Sequence, residues 1–248
     1  MRAMILAAGL GTRLRPITDN RPKALVEVGG RTLLEITLTR LRGFGIKDVI
    51  INAHHFADML VDYLKQKSNF GMNLEVSREQ ILLDTGGGLK KAARFFFSSA
   101  DRAEPFVLHN VDVISSIDLG RMLQFHNKQH ALATLAMQDR KTSRYLLFNS
   151  DSQLCGRQSG QDQTAPVPGS GENVQALAFC GIHIISPRLL TMMMEDGAFS
   201  IINTYLRLSA AGERILSFRA DDYYWRDLGR PEDLAQAAQD IEQNASLA

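Results

Sequence analysis

The first 25 residues, MRAMILAAGLGTRLRPITDNRPKAL, combine a short apolar run, two closely spaced glycines and a cluster of basic side chains. Residues 1–6 are mostly apolar and precede a glycine-containing loop, which predicts a buried strand. Gly9 and Gly11 lack a Cβ, so the loop backbone can approach a ligand closely and direct N–H groups at an anion. The basic side chains that follow are Arg13, Arg15, Arg21 and Lys23. Together these features predict a phosphate-binding loop.

Other glycine loops fit this segment less well. A dinucleotide-binding fingerprint requires a third glycine in G-x-G-x-x-G, whereas the chain has G-L-G-T-R-L. A Walker loop requires G-K-[ST] after four intervening residues, and this pattern is absent here. A turn with a purely structural role remains the alternative to phosphate binding.

The same segment resembles the signature of the sugar-1-phosphate nucleotidyltransferases, L-A-A-G-x-G-T-R-L-x-P-x-T followed by P-K-x-L. The resemblance implies that the loop binds a nucleoside triphosphate, with Arg13 and the amides around Gly11 at the β- and γ-phosphates. It also implies that Lys23 bridges the α-phosphate and the sugar phosphate. The residues that the resemblance assigns to nucleotide binding here are Leu6, Ala7, Ala8, Gly9, Gly11, Thr12, Arg13 and Lys23.

Composition excludes several classes of function. The chain has 248 residues, 45% of them hydrophobic and 22% charged, which is ordinary for a globular domain with a sizeable core. A net charge of +1 gives no general attraction to a polyanion, so we expect no nucleic-acid partner. No apolar run reaches the length of a membrane helix, and two cysteines are too few for a disulfide framework. We therefore expect a cytoplasmic monomer or small homo-oligomer without a membrane partner.

Strand and helix patterns alternate over the first part of the chain. Thr32 and Glu35 have the spacing of a capping box before an apolar helical stripe. Residues 47–52 and 73–77 read as strands, separated by a helix over 54–67. This alternation predicts a single α/β domain with a Rossmann-like, doubly wound sheet that binds ligands at the carboxyl ends of its strands. The resemblance implies a mixed sheet, as in the glycosyltransferase-A-like nucleotidyltransferase fold.

The string Asp84-Thr85-Gly86-Gly87-Gly88 stands before a helical pattern. Three glycines permit close approach of another backbone or of a ligand. The resemblance implies that Thr85, Gly86 and Gly87 contact the nucleobase through their backbone. A glycine-rich strand-to-helix turn without a ligand is the open alternative.

Residues 105–109 form an apolar run that predicts a strand, and Asn110-Val111-Asp112 follows it. A carboxylate at the end of a buried strand is costly unless it is hydrogen-bonded or holds a cation. Mg²⁺ binds through one or two carboxylates plus substrate phosphates, so Asp112 is a candidate ligand. The family has N-G-D at this place, which implies that Asn110 contacts the sugar. Val111 departs from that glycine, and its bulk and preference for negative φ put the local backbone approach in question.

The segment 142–157 alternates like a hairpin, and 158–173 is a polar stretch rich in Gly, Pro and Ser. A loop of that length predicts a functional cover or a spacer. Arg144, in the hairpin, is a candidate partner for a carboxylate on the sugar, with an exposed arginine as the alternative. Gly181 matches a short family string that contacts the sugar, with a β-bulge as the alternative.

Residues 225–231 read W-R-D-L-G-R-P and match the family's second metal motif, W-x-D-x-G-x-P. The resemblance implies that Asp227 and Asp112 share one Mg²⁺. Pro231 suits the first turn of a final helix. The resemblance further implies one nucleotidyltransferase domain over residues 1–248, with a nucleotide-binding half at about 1–113 and a sugar-binding half at about 114–248.

The resemblance implies transfer of a nucleoside monophosphate from a nucleoside triphosphate to a sugar 1-phosphate, with release of pyrophosphate. The product would be a nucleotide sugar for cell-wall or glycan synthesis. The implied catalytic residues are Arg13, Lys23, Asp112 and Asp227. Length and the T-G-G-G string favour UTP and the branch that uses N-acetylmuramate 1-phosphate. Alternatives are a mannose-1-phosphate guanylyltransferase, a cytidylyltransferase for a polyol phosphate or phosphocholine, and a non-catalytic regulatory relative.

Overall fold

The computed structural model describes residues 1–97, 104–160, 162–164, 173–244 and 247. The strands are β1 (Ala3–Leu6), β2 (Glu27–Val28), β3 (Arg31–Thr32), β4 (Asp48–Ala53), β5 (Asn73–Arg78), β6 (Phe106–Asn110), β7 (Val113–Ser115), β8 (Ala133–Gln138), β9 (Arg144–Phe148), β10 (Leu154–Ser159), β11 (Asp162–Thr164), β12 (Gln175–Ile185), β13 (Ile215–Arg219) and β14 (Trp225–Asp227). The helices are α1 (Leu33–Gly43), α2 (Ala57–Gln66), α3 (Asp84–Phe97), α4 (Leu119–Lys128), α5 (Arg188–Thr191), α6 (Ile201–Ala210) and α7 (Pro231–Gln243). Among these helices, none is long and apolar enough to cross a membrane.

One mixed sheet forms the centre of the domain. The main order of its strands is β11-β10-β9-β12-β6-β1-β4-β5. Strand β8 also pairs with β12, and β13 pairs with β8. Strands β6, β1, β4 and β5 pair in parallel with one another, whereas β12 is antiparallel to β6. The predicted mixed α/β single domain is confirmed. Parallel pairing of β1 with β6 places the carboxyl ends of both strands, and the loops that follow them, at the same edge.

Helices cover both faces of the sheet because its strands are apolar on both sides. In β1, Ala3 and Ile5 belong to a core cluster with residues of α1, α2, α4 and α7, whereas Met4 belongs to a second cluster with residues of α3, α5 and α6. Neighbouring residues of β6 divide in the same way, with Val107 on the first face and Leu108 on the second. A strand buried on both faces produces a continuous apolar run in the sequence.

Local signals set most element boundaries. The Thr32 hydroxyl accepts a hydrogen bond from Glu35 N at 3.1 Å, which caps α1 as the sequence predicts. The predicted helix start at His54 is wrong by three residues, because α2 begins at Ala57. Phe56 precedes that helix with a φ of 57°, a left-handed conformation that cannot continue a right-handed helix.

The expected long loop at 158–173 is partly wrong. Strand β10 continues to Ser159 and pairs with β11, with Ser159 opposite Asp162. Gly160 between them has a φ of 57°, which suits the tight reversal. The end of β10 and the strand β11 therefore add a third strand to the predicted hairpin. Residue 161 and residues 165–172 lie outside the described residues, and so does the predicted cover or spacer there.

Three histidines lie inside the domain, each with a hydrogen-bond partner. His109 Nδ1 is 2.7 Å from Asn110 O, and His183 Nδ1 is 2.9 Å from the Tyr205 hydroxyl. His126 lies between the hydroxyls of Thr134 and Ser186. Burial lowers the pKa of His109 and of His126 to about 4, and that of His183 to about 3. These imidazoles are therefore neutral at physiological pH.

The buried histidines should make the free energy of unfolding depend on pH. The unfolded chain keeps the ordinary pKa of 6.5, so below about pH 6.5 it binds protons that the folded state refuses. Stability should be fully present above about pH 6.5 and should fall towards about pH 4. The loss at about pH 5 should be on the order of 2 kcal/mol for each histidine. Urea denaturation at about pH 7 and about pH 5 measures it.

A matched pair of variants separates this effect from general acid sensitivity. His126→Gln should reduce the pH dependence, because a neutral amide replaces a group that titrates in the unfolded chain. His55→Gln should leave it unchanged, because His55 is exposed. Equal urea midpoints of the parent protein at the two pH values would contradict the prediction.

Candidate active site

The glycine loop and the Asp112 turn are adjacent because β1 and β6 pair. Leu6, the last residue of β1, lies opposite Asn110, the last residue of β6. Val111 N then donates to Leu6 O at 3.1 Å, which extends the pairing by one residue. Val111 is 4% exposed, packs in the core and has a φ outside the left-handed region. The valine is therefore accommodated where the family pattern has glycine.

The glycine loop folds back on the segment that follows it. Gly11 has a φ of 65°, and a Cβ there would lie 2.9 Å from Thr18 Cγ2 and 3.3 Å from Lys23 Cβ. The Thr18 hydroxyl donates to Gly11 O at 2.9 Å. Gly9 is exposed, with open space where a Cβ would lie. The loop thus holds its shape through Gly11 and leaves its tip open to a ligand.

Lys23 is buried, although it is a lysine in a polar segment. It opens a short 3₁₀ turn in which Val26 N donates to Lys23 O at 3.0 Å and the next two residues, Ala24 and Leu25, are buried. Its ammonium donates to Asp112 Oδ2. A buried lysine needs such a partner, because an unpaired ammonium in the interior is costly. The structure therefore joins two of the four predicted catalytic residues.

A short ladder brings Asp227 to the same place. Strand β14 runs antiparallel to β7, with Asp227 opposite Val113, and Leu228 N donates to Asp112 O at 2.8 Å. Arg13 Nη2 is 4.0 Å from Asp227 Oδ1. Burial, and then the neighbouring charge of Asp112, raise the pKa of Asp227, whereas Lys23 and Arg13 act against this rise. All four predicted catalytic residues thus meet in one cluster.

The two carboxylates fit a hard cation that brings further ligands with it. Within the part of the chain that the structure describes, no group of three or more His, Cys, Asp or Glu side chains could hold a metal ion. Mg²⁺ commonly takes one or two carboxylates and completes its octahedron with phosphate oxygens and water. Asp112 and Asp227 would supply the carboxylates, and a bound triphosphate would supply the rest.

Gly181 lies in a β-bulge, which the sequence leaves open as the alternative to a sugar contact. Its φ is 73°, and the pairing of β12 with β8 shifts register between Phe179 and His183, so it lies in a β-bulge. A Cβ at Gly181 would lie 2.8 Å from Asn110 Nδ2. The bulge thus places the Gly181 backbone beside Asn110, at the end of β6. Sugar contacts at these two residues stay a prediction.

The glycines that open α3 have a structural role. Gly86 N and Gly87 N donate to Phe199 O at 2.9 and 3.3 Å. A Cβ at Gly86 would lie 2.3 Å from the Phe199 ring, and one at Gly87 would lie 2.3 Å from Gly197 O. Thr85 Oγ1 accepts from Ile201 N at 3.0 Å. Close packing against 197–201 therefore explains these glycines, and their predicted contact with the nucleobase remains untested.

A buried amide and a buried carboxylate connect the glycine loop to the loop after β5. Ala7 N donates to Asn52 Oδ1 at 2.7 Å, and Asn52 Nδ2 donates to Glu79 Oε1 at 2.7 Å. The second oxygen of Glu79 accepts from Leu83 N at 3.0 Å. This network was not predicted from the sequence. The signal for Asn52 was a polar residue inside the apolar run of β4.

Two arginines, Arg144 and Arg140, lie on the hairpin side of the site. Arg144 is exposed at the start of β9, so the open alternative describes its position. Arg140, which was not predicted as a site residue, lies with its guanidinium 3.7 Å from the centre of the Trp225 ring. Its Nη2 donates to Phe179 O at 2.8 Å, and Trp225 Nε1 donates to Cys180 O at 2.7 Å. Trp225 is therefore fixed two residues before Asp227.

One edge of the sheet thus carries a glycine loop, two carboxylates and two basic side chains. Comparison with known protein families gives a match over nearly the whole chain. The model of the family described as Nucleotidyl transferase matches residues 2–244. The chain belongs to this nucleotidyltransferase family. The match covers both the glycine loop and the W-R-D-L-G-R-P motif. The nucleotidyltransferase is thus an enzyme of the sugar-1-phosphate type.

Curated relatives of this nucleotidyltransferase include several substrate classes. It is 32% identical over 238 residues to an N-acetylmuramate alpha-1-phosphate uridylyltransferase of Caulobacter vibrioides, covering 93% of the chain and 92% of the relative. It is 30% identical to a mannose-1-phosphate guanyltransferase of Yarrowia lipolytica over 94% of the chain and 62% of that relative. The nucleotidyltransferase therefore spans less than two thirds of the guanyltransferase.

Solved structures show the same fold at low sequence identity. A putative glucose-1-phosphate thymidylyltransferase from Bacillus anthracis superposes with a TM-score of 0.79 at 17% identity, covering 96% of this chain and 94% of that one. HddC from Yersinia pseudotuberculosis, complexed with GMP-PN, gives a TM-score of 0.76 at 20% identity, covering 97% and 99%. The nucleotidyltransferase therefore shares its whole described fold with both structures.

Gly229→Ala should impair activity while leaving the fold intact. A Cβ at Gly229 would lie 2.5 Å from Asp227 Oδ1 and 2.6 Å from Arg13 Nη2, so both flexible side-chain ends must move. Misplacing a reacting or coordinating group by about 1 Å can cost on the order of 10²-fold in rate. Steady-state turnover and thermal melting of the purified variant measure the two effects.

Gly43→Ala is the matched control, because Gly43 ends α1, is exposed, and has open space where the Cβ would lie. It should retain the parent turnover. Normal turnover in Gly229→Ala would show that Arg13 and Asp227 need not hold their observed positions.

Proposed function

We propose that this enzyme transfers UMP from UTP to an N-acetylated hexose 1-phosphate, in particular N-acetylmuramate 1-phosphate, with Mg²⁺ bound between Asp112 and Asp227. The observation that carries the reaction chemistry is the meeting of Lys23, Arg13 and the two carboxylates beside a glycine loop. We assign the nucleotide to about residues 1–113 and the sugar to about 114–248. The uridylyltransferase relative that matches over 92% of its length supports the choice of substrates.

Nucleotidyl transfer at this site needs no protein nucleophile. A phosphate oxygen of the sugar 1-phosphate forms a bond to the α-phosphorus of the triphosphate, and the bond from that phosphorus to the bridging oxygen breaks. Pyrophosphate leaves with the electron pair. The thiols Cys155 and Cys180 are both buried, so neither is accessible to a substrate, and burial raises the pKa of Cys180 to about 12. Alignment and charge neutralisation remain as the means of catalysis.

The positions of the two basic residues support the roles proposed for them. Arg13 is the more exposed of the two, with 58% of its side chain accessible, and it follows the open loop tip where the β- and γ-phosphates would lie. Lys23 lies deeper, against Asp112, where it would bridge the α-phosphate and the acceptor phosphate. A divalent ion held by the carboxylates would neutralise charge on the phosphates. Removing one preorganised charge contact of this kind costs about 2.7–4 kcal/mol in the barrier.

The acceptor would lie against Asn110, the Gly181 backbone and Trp225. Asn110 offers an amide for sugar hydroxyls or an acetamido group. Gly181 has no side chain, so its backbone can lie beside that amide, where a Cβ would be 2.8 Å from Asn110 Nδ2. Mannose-1-phosphate guanylyltransfer is the second candidate, supported by the relative at 30% identity. A cytidylyltransferase and a regulatory relative are less favoured, since the W-R-D-L-G motif and all four charged residues are present.

Substrate competition tests the proposal. UTP, GTP, CTP and dTTP compete at limiting concentration in the presence of Mg²⁺, with pyrophosphate release and the nucleotide-sugar product as readouts. The acceptors are glucose, mannose, N-acetylglucosamine and N-acetylmuramate 1-phosphates. A site that hydrogen-bonds one base edge rejects an analogue that leaves its polar groups unpaired, by factors that can reach about 10⁴. Preference for GTP with mannose 1-phosphate would replace the proposed substrates and keep the reaction class.

Asp112→Asn and Asp227→Asn should each abolish turnover, because each removes half of the carboxylate pair while keeping side-chain size. Asp139→Asn is the control, because Asp139 is exposed and follows β8 in the loop that carries Arg140. Asp139→Asn and Asp227→Asn should melt close to the parent protein, whereas Asp112→Asn should fold but melt lower, because it leaves the buried Lys23 ammonium without its carboxylate partner. Pyrophosphate release at saturating substrate measures the effect, and near-parent, metal-dependent activity in either carboxylate variant would exclude a shared metal site.

A further inference from the structure

Both carboxylates of the candidate metal site are already paired with cations of the protein itself. The Lys23 ammonium donates to Asp112 Oδ2, and these two side chains are only 9% and 19% exposed. The Arg13 guanidinium is 4.0 Å from Asp227, and these side chains are 58% and 39% exposed. The two pairs balance in charge, so the four side chains together carry no net negative charge to attract a divalent ion.

The lysine is anchored at its backbone and flexible towards its end. Leu25 N donates to Pro22 O at 2.9 Å, Val26 N donates to Lys23 O at 3.0 Å, and the neighbouring Ala24 and Leu25 are buried. These contacts hold the Cα and Cβ. A lysine ammonium on a four-carbon stem is a mobile point charge, unlike the rigid fork of an arginine. The ammonium can therefore change partners without a movement of the loop.

We propose that Lys23 holds Asp112 in the substrate-free enzyme and releases it only when a triphosphate supplies phosphate oxygens for the ammonium. Asp112, released by the lysine, would then be available to hold the divalent ion. Under this exchange, the free protein binds a divalent ion weakly, and the nucleotide raises that affinity. Lys23 thereby has a second role, as a positioning residue that makes metal binding depend on nucleotide binding. The inference rests on the proposed function of the same site.

The exchange is favoured on electrostatic grounds. A divalent ion on Asp112 would lie next to the ammonium if the lysine stayed, and like charges a few ångströms apart in a partly buried site repel strongly. A triphosphate brings several negative charges and offers Lys23 a new partner of the same kind. By linkage, the nucleotide and the metal must raise each other's affinity by the same factor.

Binding of Mn²⁺ to the full-length enzyme without nucleotide tests this directly. Electron paramagnetic resonance of free Mn²⁺ gives the dissociation constant for the parent protein and for Lys23→Met. The variant removes the charge and keeps most of the length of the side chain, so it should bind Mn²⁺ at least about tenfold more tightly than the parent. Adding UTP should tighten Mn²⁺ binding to the parent by a larger factor than to the variant.

Two further variants test whether the change in Mn²⁺ affinity belongs to the Lys23 ammonium in particular. Arg21→Met removes a positive charge from the same segment, but Arg21 is exposed and its Nε donates to the neighbouring Asn20, so Mn²⁺ affinity should not change. Lys23→Gln should bind Mn²⁺ more tightly than the parent, as Lys23→Met does. It serves in place of Lys23→Met where thermal melting shows that the methionine variant does not fold.

The outcomes distinguish this inference from the proposed function. Equal Mn²⁺ affinities of the parent and the folded Lys23 variants, together with normal turnover of the parent, would overturn the exchange alone. Tight Mn²⁺ binding to the nucleotide-free parent would also overturn it. Absence of both turnover and nucleotide-dependent Mn²⁺ binding in the parent would overturn the proposed function and the exchange with it.

Discussion

The hydrogen bond from Leu228 N to Asp112 O, with the short β7–β14 ladder beside it, connects distant parts of the chain at the point where the chemistry is proposed. Without it, Asp227 would have no fixed relation to Asp112, and Arg13 would lose its carboxylate partner. The ladder depends in turn on the pairing of β1 with β6, which places the Asp112 turn beside the glycine loop. The site is therefore a consequence of strand order more than of any single motif.

The basic and the acidic side chains of this site come from different parts of the chain. Arg13 and Lys23 come from one continuous segment after β1, whose shape is set by Gly11 and by two short helical turns. The carboxylates come from two segments that only the folded sheet brings together. The proposed phosphate-binding residues therefore lie on one segment, whereas the proposed metal ligands come together only in the complete sheet. The raised pKa of Asp227 records the energetic cost of burying the second carboxylate and bringing it next to the first.

The predicted helix starts are correct at residues whose effect on the backbone is local. Thr32 with Glu35 fixed the start of α1, and Pro231 the start of α7, because caps and first-turn prolines act locally. Prediction from the sequence failed where tertiary contacts decide. The three-residue strands β7 and β14 are too short to show a period, and the packing of Gly86 against Phe199 joins residues too far apart along the chain to be read from the sequence. The same holds for Arg140, whose position over Trp225 depends on the packing of the whole sheet. The nucleobase contact of Gly86 stays a prediction.

The Asn52 and Glu79 network has a consequence for how a nucleotide is received. Two loops that would otherwise move independently share one buried amide and one buried carboxylate, so their relative position is set before any ligand arrives. Ordering a flexible backbone costs about 1–2 kcal/mol for each residue, and two loops that are already connected avoid much of that cost when a ligand binds. Under the exchange proposed for Lys23, the free energy of nucleotide binding would then be available for moving the ammonium from Asp112 to a phosphate. The fixed pair of loops and the mobile ammonium would thus act together in the proposed site.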